Sequence, residues 1–194
     1  MIPSGNNPDD KIFDTELPSI PDKYRIPRCP DVMNQGQAPI CAAISVASIM
    51  EWQSEVRGVN NGKGKTYDAY QIYGLREDKH IEGMIPRDAF NKVKTIGVNG
   101  DKIEGYAKLG GVLAAKSAIL TNGPVMIGTA AYNDDRFWIP NGSLMGGHAT
   151  ILVGWDKDGF VLQNSWGTQY ADGGRINFPY EDWKYILEAW TVFL

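Results

Sequence analysis

Residues 34–56 read NQGQAPICAAISVASIMEWQSEV, and the rest of the chain is interpreted outward from this stretch. Between Cys41 and Val56 there is neither Gly nor Pro. Val46, Ile49, Met50 and Val56 recur near helical spacing, and Ile44 and Trp52 widen the apolar face. That pattern predicts a long, largely buried helix beginning close to Cys41. A thiol at a helix start meets unpaired backbone N–H groups and the positive end of the helix dipole, both of which favour the thiolate. With an imidazolium beside it, the ordinary thiol pKa of about 8.5 falls by several units. Upstream, Gly36 permits a sharp turn that brings the Gln35 carboxamide back to the helix start. There its N–H and that of Cys41 can face one developing oxyanion.

Before this stretch the chain carries Pro3, Pro8, Pro18, Pro21, Pro27 and Pro30, so residues 1–34 are read as an extended arm. After it, VNNGKGK (Val59 to Lys65) reads as a loop and Asp68 to Arg76 as a second helix. A third helix opens at Pro86, carries Ala89, Phe90, Val93 and Ile96 on one stripe, and stops at Gly97. Beyond Gly105 the pattern changes. One more short helix, Val112 to Leu120, precedes GPVMIGTAAY, HATILVGWD, GFVLQNSWG and GRINFPY, which are strand-length apolar runs punctuated by Gly, Asn and Asp. Helices followed by strands, with no βαβ alternation, give an α+β architecture with a helical lobe over 35–105 and a β lobe over 106–194.

His148 stands at the start of one of these strands and Asn164 follows 16 positions later, across a turn at Asp156 to Gly159 that can return it to the histidine. An Asn oxygen accepting the imidazole N–H fixes one tautomer without adding a second negative charge. Taken singly, each residue has a plainer reading: Cys as a small apolar side chain, His as a hydrogen-bonded strand-edge residue, Asn in an Asx turn.

Taken together they do not. NQGQAPIC (34–41), GGHA (146–149) and QNSWG (163–167), in that order, resemble the three signature blocks of the papain-like cysteine peptidases. The resemblance implies a two-lobed fold, helical on the left and antiparallel β on the right, with the active site in the cleft between. It implies Cys41 as nucleophile, His148 as general base and acid, Asn164 as orienter and Gln35 as oxyanion donor. Trp166 would shield the His148–Asn164 bond, and Gly83, Met84, Ile85, Gly128, Gly146 and Gly147 would line the substrate cleft with a wide, neutral pocket for an apolar side chain. The activity implied is peptide-bond hydrolysis, endopeptidase in type, through a Cys41 thioester. An acyl transferase or amidase on the same scaffold and a non-catalytic binding module are the alternatives.

The chain also departs from the pattern. Ala38 and Ala42 replace the Cys and Trp common around the nucleophile, and His148 lies 107 positions after Cys41, shorter than the roughly 130–150 typical of papain-type enzymes. Disulfide-free bacterial or viral members fit best. Only Cys29 and Cys41 are present, too few for a disulfide framework. With His80 and His148 they lack the short paired spacings of zinc sites, so neither metal nor cofactor is expected.

A formal net charge of −4 with scattered cations argues against a nucleic-acid partner. No apolar run reaches the roughly 20 residues of a membrane span. Residues 1–10 lack the features of a signal peptide, so a cytoplasmic chain is expected. The partners expected are a peptide or protein substrate and a proteinaceous inhibitor. Residues 1–16 read either as a solvated acidic tail or as a minimal propeptide whose Ile12 or Phe13 enters the cleft, ahead of a mature start near Leu17 and Pro18.

Overall fold

The computed structural model describes residues 1–14, 19–56, 65–133 and 135–193. The mature start expected near Leu17 and Pro18 lies outside the described residues. So does the expected loop after Val59, apart from Lys65.

Helix α1 runs Cys41–Val56 and is buried from Cys41 to Met50 without a break. A helix apolar all round must be enclosed, and its small residues Ala42, Ala43 and Ala47 allow it to pack closely on the sheet, chiefly on strand β4 (Gly146–Trp155). Helix α2, Ala69–Gly74, is capped by Asp68, whose side chain accepts from the Tyr70 N–H at 2.8 Å. Helix α3, Pro86–Thr95, starts on the proline and buries Ala89, Phe90 and Val93. Two residues assigned to apolar faces are not on them: Val56 is 52% and Ile96 57% exposed, because each stands at a helix end beyond the last packed turn.

The described residues form one seven-stranded antiparallel sheet. Its strands are β1 (Tyr24–Arg25), β2 (Gly105–Lys108), β3 (Val125–Ala131), β4, β5 (Gly159–Gln163), β6 (Arg175–Pro179) and β7 (Ile186–Phe193). They run in the order β2-β7-β3-β4-β5-β6, with β1 beside the far end of β4. Helix α4, Val112–Asn122, covers part of one face and packs on β7, β4 and β3. Strand β7 places Trp190 in the core. Burying a ring of about 150–250 Å² at about 25 cal/mol per Å² contributes roughly 4–6 kcal/mol before entropy. That offsets the cost of the carboxylate two positions away, since the Trp190 Nε1–H donates to Glu188 Oε2 at 2.8 Å. Both cysteines are free thiols. No helix among the described residues is long and apolar enough to cross a membrane.

Candidate active site

Cys41 is the first residue of α1, so its backbone N–H has no acceptor within the helix. His148 is the third residue of β4, and the packing of α1 on β4 brings them together. Burial opposes ionisation of the thiol. The His148 hydrogen bond and charge, the positive Met1 amino group and the Ala149 backbone outweigh it and lower the Cys41 pKa to about 6. The far side of the imidazole meets Asn164: His148 Nε2 lies 2.7 Å from Asn164 Oδ1, which also accepts from the Ser165 N–H at 2.7 Å. The ring is fixed from two more directions, stacked on Trp166 (centroids 5.0 Å apart, planes 20° apart) and met edge-on by Phe137 at 5.1 Å. Water is thereby kept from the His148–Asn164 bond.

Gln35 is positioned by the QNSWG segment. Its backbone N–H donates to Ser165 O at 2.8 Å, and Asn34 bridges to Trp166 across the same turn. Gly36 takes φ 54°, as the turn requires. The Ser165 hydroxyl donates to Gln35 Oε1 at 2.6 Å and Gln35 Nε2 donates to Ala38 O at 3.0 Å. Nε2 carries two hydrogens, so one is left for an incoming oxygen.

The N-terminal segment lies in the groove beside Cys41. The Met1 amino group donates to Cys41 Sγ at 3.3 Å and to Gly147 O at 2.6 Å. The Met1 side chain lies over Gly128, where a Cβ would fall 2.5 Å from its sulfur. At Gly147 a Cβ would fall 2.5 Å from Met1 O. Ile2 donates to Met84 O at 3.3 Å and packs near Gly83, while the Ser4 N–H donates to Glu188 Oε1 at 3.1 Å. Of the cleft-wall residues named from sequence, Gly83, Met84, Gly128 and Gly147 thus meet this segment. Ile85 caps α3, Gly146 has nothing near its Cβ direction, and Trp166 is stacked on His148.

Two expectations are corrected. Ile12 and Phe13 do not enter the groove: Ile12 is 64% exposed and bridges to Lys108 beside β2, and Phe13 stacks on Phe193 at 6.3 Å. Their backbone pairs with the open edge of β2, which holds them away from Cys41. Nor is the pocket neutral, because Glu188, 6% exposed, is the register partner of Gly128 on the neighbouring strand β7, and its side chain and the Met1 sulfur approach the same point above Gly128. Glu188 was missed because strand β7 was. The available signal was a single acid inside the apolar run ILEAWTVF.

The fold has well-matched counterparts. Xylellain, a cysteine protease from Xylella fastidiosa, superposes with a TM-score of 0.79 over 99% of this chain and 94% of its own, at 20% identity. Procathepsin B S9 from Trypanosoma congolense superposes at 0.80 over 95% and 82%, at 16% identity. This is the papain-like cysteine protease fold. In sequence, the chain is 29% identical over 184 residues to the putative cathepsin L 3 of Paramecium tetraurelia, a match spanning 77% of this chain and 60% of that relative. No family model matches.

Proposed function

We propose that this chain is a papain-like cysteine peptidase that cleaves extended peptides in the groove beside Cys41. The observation that carries the reading is the buried line of Cys41, His148 and Asn164 at the mouth of that groove, with the thiol pKa lowered to about 6. The thiolate attacks the scissile carbonyl carbon, and the oxyanion receives hydrogen bonds from the Cys41 N–H and the remaining Gln35 Nε2–H. Collapse breaks the C–N bond as His148 donates its proton to the leaving amine, leaving a thioester on Cys41. His148 then takes a proton from water, the resulting hydroxide attacks the thioester, and the acid leaves with the thiolate restored. No metal or cofactor has a part in this. Endopeptidase action is the type we favour, with Met84, Gly128 and Glu188 on the wall that residues 1–4 contact.

The test is a peptide library incubated with and without amine acceptors, together with three variants. Hydrolysis should dominate, and Gln35→Ala should lower kcat by roughly 10- to 1000-fold with little change in KM. Asn164→Ala should cost less than His148→Ala, since orienting a base is worth less than transferring the proton. Equal or reversed losses would mean the two roles are wrongly assigned. Transfer to the amine in preference to water would replace the peptidase by an acyl transferase.

A further inference from the structure

A buried carboxylate takes no part in this chemistry yet reaches His148 through two side chains. Asp182 lies on the 3-10 helix Tyr180–Tyr185, in the connection from β6 to β7, and is 4% exposed. Its Oδ2 accepts from the Trp138 Nε1–H at 2.9 Å and pairs with the Arg136 guanidinium. These two donors flank Phe137 in sequence, on the connection from β3 to β4, so one oxygen holds both neighbours of the ring that meets His148 edge-on. Phe137 is fully buried and T-shaped to Trp138, with centroids 5.0 Å apart, and its ring lies 5.1 Å from His148 and 5.2 Å from Trp166. Trp138 in turn packs on Phe178 of β6 at 4.8 Å. The backbone bonds of Phe137 are local, its O accepting from the Tyr132 N–H and its N–H donating to Asp135 O. Another tie on this loop, from the Tyr170 hydroxyl to Asp135 O, is exposed, whereas the Trp138–Asp182 bond is buried. The Arg136 side chain is 43% exposed, so its pair with Asp182 is screened by solvent and the Trp138 bond is the firmer hold.

We infer that Asp182 is a positioning residue for His148: by holding Trp138, and with it Phe137, it keeps the imidazole on the line between Cys41 and Asn164. The inference rests on the peptidase reading for its effect on turnover, but the placing of the ring is also read at the thiol itself, without a substrate. Trp166 covers one face of the imidazole and Phe137 closes its other approach. With Phe137 released, the ring can turn away from Asn164 Oδ1 and water can enter that bond. A misplacement of about 1 Å at a proton-transfer group is enough to cost roughly 100-fold in rate.

The full chain is compared with Asp182→Leu, which keeps the volume and loses the acceptor, with Asp182→Asn, which keeps an acceptor for Trp138, and with Trp138→Phe, which loses the donor. Each is assayed well below its own melting temperature, so that folded chains are compared. Three quantities are measured: the pH midpoint of Cys41 alkylation by iodoacetamide, and kcat and KM separately on a peptide selected from the library. Asp182→Leu and Trp138→Phe should raise the midpoint and lower kcat by roughly 10- to 100-fold with little change in KM, and Asp182→Asn should restore most of both. Should Asp182→Leu fail to fold, Trp138→Phe against Asp182→Asn carries the same comparison. A raised midpoint in a chain that cleaves no peptide in any form would uphold the positioning role and remove the peptidase reading. Variants that melt earlier but keep the parent's midpoint and kcat would overturn the inference, leaving Asp182 a purely structural residue.

Discussion

At the Cys41 sulfur, burial resists charge, and it loses because an imidazole, an amine and a backbone group all face the same atom. The sign follows directly. A thiol whose pKa is lowered to about 6 is mostly protonated below that pH and mostly thiolate at 7, whereas an ordinary thiol near 8.5 would be largely protonated there. The rate of Cys41 alkylation by iodoacetamide should therefore rise with a midpoint near pH 6 and level off by pH 8. In His148→Ala the midpoint should move up, since burial, the largest single influence on the thiol, then acts without the imidazole to oppose it. A midpoint near 8.5 in the unsubstituted chain would rule out the thiolate–imidazolium pair. Cys29, whose sulfur donates to Ile26 O at 3.6 Å, is the other free thiol, and its labelling is followed separately.

Among the elements, α1 and α4 are both apolar helices, and what separates them is how they end. Helix α4 stops at Gly123, where φ is 91° and a Cβ would fall 2.0 Å from the Trp52 ring of α1. The ring cannot withdraw freely, because its Nε1–H donates to Pro27 O at 2.7 Å and it is buried. Gly123→Ala thus combines a disfavoured backbone angle with a core overlap and should destabilise the chain by about 3 kcal/mol. For a domain of this size that is roughly 6–12 °C in Tm. A loss under about 1 kcal/mol would mean the junction of α1 and α4 repacks at little cost. Strands divide in a similar way. β3, β4, β5 and β6 lie within strand-length runs punctuated by Gly, Asn and Asp that the sequence marks, whereas β7, ILEAWTVF, follows the 3-10 turn at Tyr180–Tyr185 with no Gly or Asn at its start to mark it.

On the scale of the whole molecule, the pocket beside Cys41 is assembled from β3, β7 and the head of α3, segments far apart in sequence. Its chemistry follows from that assembly: Gly128 leaves space, and Glu188, directly across from it on β7, places a carboxylate at the edge of that space. A substrate Lys or Arg two positions before the scissile bond should be accepted there alongside apolar side chains. Glu188→Gln should lower kcat/KM for the basic substrate by roughly tenfold or more while changing the apolar one little. An unchanged ratio would place the carboxylate outside the pocket.

The sequence by itself determined the helix at Cys41, the α+β order of elements, and the residue types of the site, because those rest on local properties: helical spacing from Val46 to Met50, the turn at Gly36, and short motifs around His148 and Asn164. Only the tertiary structure decided what lies in the groove and along its wall. Met1 over Gly128, Asp10 on Arg87 and Glu188 beside the pocket are contacts between residues 77 to 184 positions apart where bonded. A lone acid or arginine in a sequence has many possible partners, and its role is set by which of them folding brings within hydrogen-bond reach while excluding water. The same physics misdirected the reading of Ile12 and Phe13. Their apolar side chains do seek cover or an edge, but the unpaired backbone of β2 was nearer than the groove.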